Sequence, residues 1–533
     1  MKTILSSRRH HYLARVSVFL ITVALIVAMV GCSEVTTRYS LTMAVAPGGS
    51  GTATDLTNAS PYAAGTAVSI KAVAAVGYQF VKWTAPAGTF ANANAAETTF
   101  TMPAQAVTVT ANFFQGQLIR DWNDLNAIRD NLGDNYLLMN NLDSTTAGYT
   151  ERAKSTANGG QGWQPIGTLV AAFTGTFDGQ GYEIKDLFIN RPGENGVGLF
   201  GVVEGGGGIE NVEMVDADVI GDHLVGILVG ATTVVGTGTV SNSSATGSVS
   251  GNQDVGGLVG QNGGGCTVSN SYAIDNVTGV SGSEYSADVG GLVGYNGGTV
   301  SNSYATGSVT GDSCVGGLVG RNDGGTVSNS YATGSVTGYG YVGCLVGLNA
   351  GGTVSNSYAT GNVTVTGYAY GVGGLMGSNY GTVSNSYATG SVTASGSNFV
   401  GGLMGENKGN VSNSYATGSV TGNITVGGLA GYNEGTVDRS YSTGSVTGAG
   451  AVGGLVGVNY GTVSNSFWDT QTSGQGTSAG GTGKTTVQMK SIATFSGVGW
   501  NIIAVDNSNE RNTGYVWNIV DGGTYPFLSW KPV

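Results

Sequence analysis

The sequence predicts an all-β chain, a solenoid of about nine stacked coils preceded by a small all-β domain. Repetition is the first observation: SNSYATGSVT stands verbatim at 301–310, 328–337, 384–393 and 412–421, each time after a variant of VGGLVG. Composition is the second, with 95 Gly among 533 residues, only 10% charged residues and 8 Pro. Glycine at that level without a three-residue period argues against collagen, and the Val and Tyr content argues against a disordered low-complexity chain. Spacing is the third. From Tyr304 onward the aromatic of the repeated phrase recurs at steps of 27, 27, 29, 28, 26 and 26 residues. Such a unit is too short for a core of its own and suits one turn of a solenoid.

The N-terminus reads as an address. Lys2, Arg8, Arg9 and Arg15 precede the apolar run 16–30, which ends in Met29-Val30-Gly31-Cys32. The run is short for a membrane span and suits a signal-peptide core. Its end resembles the lipobox of bacterial lipoproteins, with Met29 where Leu is usual. That resemblance implies a signal peptide over 1–31, cleavage after Gly31, acylation of Cys32, and a membrane anchor for an exported chain. Ser33, rather than Asp, after the cysteine implies the outer membrane where the source has two membranes. The other reading is an uncleaved anchor with an incidental cysteine. Residues 32–38 are then a linker.

Residues 39–113 form the first domain. Val68, Ile70 and Ala72 alternate with Ser69, Lys71 and Val73, and Val107, Val109 and Ala111 with Thr108 and Thr110, as in half-buried strands. Gly65-Thr66-Ala67-Val68, Gly77-Tyr78-x-Phe80-x-x-Trp83 and Thr101-Met102-Pro103 leading to Ala111-Asn112-Phe113 resemble the divergent internalin B-type repeat. The resemblance implies a β spacer without catalysis. Tyr78 and Trp83 suit a core better than a carbohydrate platform.

The array follows. Its Leu recurs at Leu228, Leu258, Leu292, Leu318, Leu345, Leu375, Leu403, Leu429 and Leu455, with Val three residues before and Gly two after. The aromatic column runs Tyr272, Tyr304, Tyr331, Tyr358, Tyr387, Tyr415, Tyr441 and Phe467, with Ser244 in the first copy. Stacked coils would place identical residues about 4.8 Å apart, so nine coils extend roughly 43 Å. Insertions fall just before the Val, where a surface loop can lengthen. GGLVG with N-x-GTVSNSYATGSVTG resembles the GLUG-motif repeats. GWQPIG at 162–167, FTGTFDGQGYEIKDL at 173–187 and FWDTQTSGQGTSAGGTGKTT at 467–486 fit the same family. The resemblance implies a right-handed parallel β-helix of 26–34-residue repeats on exported or surface proteins. We place an N-terminal cap and first coils at 114–224, the repeat array at 225–467, and a Trp-rich C-terminal cap at 468–533. Trp122, Leu125, Leu132 and Gly133 mark a capping helix in 121–133.

Candidate chemistry is sparse. Net charge is −12, and residues 1–31 hold four basic residues and no acid, so the remainder is more negative still. Nucleic acid is therefore an unsuitable partner. GTGKTT at 481–486 lacks the leading Gly of a phosphate loop, since 478 is Ser, so no nucleotide is expected. Some GLUG-bearing proteins are immunoglobulin A peptidases that use zinc. Past the signal segment there is one histidine, His223, and no H-E-x-x-H, so that activity does not transfer. Cys266, Cys314 and Cys344 read as unpaired fillers. No catalytic residue, metal ligand or cofactor is assigned.

Asn columns lie in the SNS phrase (Asn242, Asn270, Asn302, Asn329, Asn356, Asn385, Asn413, Asn465) and a few residues after the Leu from Leu258 onward (Asn262 to Asn459). They suit structural turns or ladders better than a display of amides, and Arg439 in the first column places it near solvent. Asp254, Asp275, Glu284, Asp288, Asp312, Asp323, Glu406, Glu434 and Asp438 are expected to be solvated turn charges. Asp178 suits a turn. The sequence thus supports a non-enzymatic, lipid-anchored surface protein, an adhesin or envelope scaffold with glycans or proteins of another cell or matrix as partners. The alternative is a polysaccharide-binding or polysaccharide-degrading β-helix.

Overall fold

A computed structural model describes residues 36–233, 236–279 and 287–533. The signal segment, Cys32 and Glu284 lie outside the described residues. The chain divides into one unit ending at Gly116 and a second spanning Gln117–Val533.

The first unit is all β. Leu41–Ala46, Val107–Gln115 and Tyr78–Thr84 form a three-stranded sheet, and Gly51–Asp55, Ala67–Ala74, Glu97–Thr101 and Thr89–Phe90 a four-stranded one. Val68, Ile70 and Ala72 point inward while Ser69, Lys71 and Val73 face out, as their alternation predicts. Trp83 is 2% exposed beside Phe80, and its indole N–H donates to the Ala95 carbonyl at 3.0 Å. It is a core residue.

The second unit is a parallel β-solenoid. Four sheets of 13, 20, 10 and 9 strands run along it, each made by pairing a strand of one coil with its counterpart in the next. One coil shows the anatomy: Cys314–Gly316, Val319–Asp323, Thr326–Ser328, Tyr331–Ala332 and Val336–Thr337. Register is residue on like residue: Val300 pairs Val327, Tyr304 pairs Tyr331, and Val319 pairs Val346. Inward-facing Val315, Leu318, Val319, Val327, Ala332 and Val336 are fully buried, and their equivalents make one continuous core.

Three ladders explain why SNSY is repeated. The Asn of SNS holds φ of 47–51° in eight copies, and Arg439 takes the same corner at 46°. Asn tolerates this left-handed corner better than most side chains. The following Ser is buried: its hydroxyl donates to the carbonyl two residues back and accepts the N–H of the preceding coil's Ser, as in Ser303 N–H to Ser330 Oγ at 3.2 Å. The Tyr rings then stack at 4.8–5.0 Å and 2–10° from Tyr272 to Tyr441.

The second Asn column is a buried amide ladder. Each Nδ2 donates to the next coil's Oδ1 at 2.7–2.9 Å, from Asn262 through Asn296, Asn322, Asn349, Asn379, Asn407 and Asn433 to Asn459. Both Asn columns are therefore structural.

At the start of the solenoid, Asp121 caps the helix Trp122–Ala127 by accepting from the N–H groups of Asn123 and Asp124. Trp122 meets Trp163 at 5.7 Å and buries with Leu125 in the core. The C-terminal region does more than close an end. Ser478 accepts from the last coil's Leu455 and Val456 N–H groups, whereas 485–533 lies along the side, over the tyrosine stack. Trp530 packs on Tyr358 and Tyr387, Trp517 on Tyr415 and Tyr441, and Trp500 on Tyr441 and Phe467. Tyr387, Tyr415 and Tyr441 are consequently buried, while Tyr272, Tyr304 and Tyr331 are half-buried. Arg439 belongs to this docking: its Nε donates to the Gly499 carbonyl at 3.3 Å and its Nη1 to Asp438 at 2.6 Å.

Replacing Asn349 by Leu removes two amide–amide bonds inside the solenoid and leaves buried polar partners underpaired. The expected cost is about 1–3 kcal/mol. Hydrogen exchange should show faster amides around 322–382 and unchanged amides in 41–115.

Candidate functional site

Inward columns are nearly invariant, so chemical individuality must sit outside. It gathers in two outward columns flanking one corner. The first, just before each leading Val, runs Asp288, Cys314, Tyr341, Gly371, Phe399, Thr425 and Ala451. Asp254 precedes Val255, which pairs Val289, and so begins the column. The second runs Gln261, Tyr295, Arg321, Leu348, Ser378, Glu406, Tyr432 and Val458. A residue of the first column meets the second column's residue one coil on, as Phe399 meets Tyr432 with ring centroids 4.8 Å apart.

The upstream part of this ribbon is a carboxylate cluster. Asp254 and Asp288 are 6% and 4% exposed, and Oδ1 of each finds no donor among the described residues. Burial raises the Asp254 carboxyl to about 6 against the pull of Arg321. Burial, and next the Asp254 charge, raise Asp288 to about 7. Around them stand Cys314, Tyr295, Arg321 and Asp323, with Arg321 Nη2 2.8 Å from Asp323 Oδ2 and the Tyr295 hydroxyl donating to it at 3.3 Å. Asp275 is different again. It is 1% exposed, its Oδ2 lies where a side chain on Gly257 would go, and burial holds its carboxyl well above the ordinary range.

These three residues correct the expectation of solvated turn charges, and Glu406 at 6% exposure is a fourth. The sequence shows Asp at irregular repeat positions. It does not show that the position before Val is covered by the next coil's side chain.

The downstream part is aromatic. Glu406 accepts from the Ser378 hydroxyl at 2.8 Å and pairs Lys408 at 2.8 Å. Lys408 donates to the Tyr380 hydroxyl at 3.2 Å and sits 5.1 Å from that ring's centroid. The Glu406 hydrogen bond holds the Lys408 ammonium above its usual range. Tyr341, Tyr368 and Tyr370 cluster beside them, and Phe399, Tyr432 and Tyr460 continue the line. Sequence reading placed variability in the loops before Val, and Tyr339, Tyr368 and Tyr370 lie there. It missed the second column, whose residues sit inside the repeated phrase.

Other candidates take structural places. Asp178 accepts from Gln180 N–H and Asn211 Nδ2, which is a turn. Thr482–Lys484 of GTGKTT is a strand paired with Phe467–Asp469, and Lys484 lies 5.8 Å from the Phe467 ring. His223 Nδ1 is 3.8 Å from Asp222. Cys344 fills the interior, and burial lifts its thiol to about 12. Cys314 lies instead in the outward column beside Asp288. Among the described residues, no three His, Cys, Asp or Glu side chains form a cluster that could hold a metal ion.

A parallel β-solenoid with one chemically varied ribbon defines a repeat-protein scaffold. Comparison with known proteins agrees: the chain carries a divergent InlB B-repeat domain at 41–117 and five GLUG motifs, at 251–278, 285–310, 311–337, 368–393 and 422–447. It is 37% identical over 142 residues to halomucin of Haloquadratum walsbyi, a stretch covering 26% of this chain and 2% of that protein. It is 38% identical over 120 residues to a putative Gly-rich membrane protein of Evansella cellulosilytica, covering 22% and 13%. The chain thus matches only a small part of each relative. Among solved structures, an IgA1 protease aligns over 69% of this chain and 25% of its own at 15% identity and a TM-score of 0.32. That likeness is too loose to carry an activity across.

Raised carboxyl pKa values have a definite linkage. The folded state holds these protons more tightly than the unfolded chain, whose carboxyls titrate near 4. Their stabilising contribution is complete below that pH and is lost as pH rises through about 6 for Asp254 and about 7 for Asp288. Denaturation midpoints should fall between pH 4 and pH 7.5, and the fall should be smaller in Asp288→Asn. Equal slopes in the two proteins would contradict this account.

Proposed function

We propose that this chain is a lipid-anchored cell-surface protein that adheres to or scaffolds the envelope and performs no catalysis. The observation that carries the reading is the division of labour in the solenoid. Its inward columns repeat, and its varied charged and aromatic side chains concentrate along one outward ribbon. A rigid rod with one individual face suits recognition of an extended partner. The names of the two relatives, halomucin and a putative Gly-rich membrane protein, support a surface placement.

The anchor reading rests on the 16–30 run ending at Cys32, and its destination on Ser33. Glycans or proteins on a neighbouring cell or matrix are the partners this face suits. Polysaccharide cleavage is the competing reading, and the stacked Asp254–Asp288 pair is the feature that favours it. Both carboxyls are buried, however, at 6% and 4% exposure, which leaves a glycosidic bond little access to them.

Expression of the full chain in a bacterium with two membranes tests the proposal. The wild type should incorporate labelled palmitate, fractionate with membranes and be shaved from intact cells by external protease. Cys32→Ser should lose the label. A chain that stays in the cytoplasm, or a purified chain that releases reducing ends from polysaccharides, would contradict it.

A further inference from the structure

The tyrosine stack cannot serve as a stacking platform for a ligand. Its rings lie face to face at 4.8–5.0 Å, so each internal face is covered by a neighbour. The tyrosines in the loops before Val are arranged differently. Tyr368 and Tyr370 are 50% and 58% exposed, and their rings stand 5.4 Å apart at 83°. Tyr370 lies 6.0 Å from Tyr341, and Tyr339, 50% exposed, borders the same loop across Gly367. The Asn398 side chain donates to the Tyr368 hydroxyl at 2.7 Å and tethers the loop.

From these observations we infer that Tyr339, Tyr368 and Tyr370, with Tyr380 at the rim, form a binding site for a neutral polysaccharide running along the solenoid axis. The inference rests on the surface-recognition reading and names the ligand class for it.

Three features select that class. First, the patch exposes aromatic rings that each carry a hydroxyl, an apolar face with a polar edge, matching a ligand whose faces alternate C–H and O–H groups. Second, the charges beside it neutralise each other, Glu406 with Lys408 at 2.8 Å, so no net field is offered to an ionic ligand. A chain of net charge −12 also disfavours uronate polymers and phosphates. Third, the rings recur on successive coils, Tyr341 and Tyr370, then Phe399, Tyr432 and Tyr460, which suits a polymer better than a single sugar.

Affinity electrophoresis of the purified chain in gels containing mannan, a β-glucan, a galactomannan or polygalacturonate tests the inference. Retardation is expected on at least one neutral polysaccharide and not on polygalacturonate. The double variant Tyr368→Ala/Tyr370→Ala should bind about tenfold more weakly, the equivalent of losing one or two ring contacts. Tyr515→Ala, an exposed ring on the C-terminal region, should bind as wild type, and an unchanged thermal melt verifies the fold of both variants.

No retardation on any neutral polymer, a preference for polygalacturonate, or full binding by the double variant would each overturn the site. Cell attachment that the double variant loses, with no retardation on any neutral polymer, would assign the patch to a protein partner and overturn the glycan class. Retardation lost in the double variant, from a chain that never reaches the surface, would support the site and refute the surface reading.

Discussion

Every feature of the large unit depends on in-register parallel pairing of one coil with the next. A coil of about 26 residues cannot bury its own Val and Leu, and its edge leaves backbone N–H and C=O groups that only another coil can satisfy. Pairing like with like settles both requirements. The Leu318 N–H reaches the Leu345 carbonyl at 3.0 Å, and the same bond recurs one coil on, from Leu345 to Leu375 at 2.8 Å. Once the backbone is in register, side chains must accept stacking at strand spacing, and the sequence is filtered accordingly.

That filter explains the polar interior as well as the apolar one. Asn is almost the ideal rung for a buried ladder, because one amide both donates and accepts along the axis. Ser after the corner links coils differently, its hydroxyl accepting the preceding coil's N–H while donating to a carbonyl of its own coil. Charge is a poor rung, since a column of it repels itself. Where Asp254 and Asp288 nevertheless occupy neighbouring coils, burial raises both carboxyls, to about 6 and about 7, and the Asp254 charge adds to the rise at Asp288. Glycine is needed where a coil passes its neighbour closely: a side chain on Gly334 would lie 1.8 Å from the Gly307 carbonyl oxygen.

Much of this was legible in the sequence because a solenoid writes its contacts as a period. The Val, Leu and Tyr columns, the strand alternation at Val68–Ala72 and the corner role of the SNS asparagine could all be read from spacing. What escaped were contacts outside the period. The Trp-rich C-terminal region looked like an end cap because nothing in a linear reading says that Trp500, Trp517 and Trp530 fit the flank of the tyrosine stack. Arg439 placed its column near solvent, but nothing in its position told that it meets that region at Gly499. The varied ribbon escaped for a similar reason. Its two columns lie seven residues apart within a coil, and they meet only because the first packs against the second of the following coil.

Residues some 27 positions apart in sequence therefore lie one strand spacing apart in space. Pulsed electron resonance on spin-label pairs measures this directly. Ser301, Ser412 and Ser464 share one outward column, with Ser412 four coils and Ser464 six coils beyond Ser301. Backbone separations of about 19 Å and about 29 Å are predicted for the two pairs. A label at Ser269, one coil earlier, paired with Ser464 should add about 5 Å more. Distances that grow in equal steps with coil number support in-register stacking; distances that scatter, or that do not lengthen from one pair to the next, would contradict it.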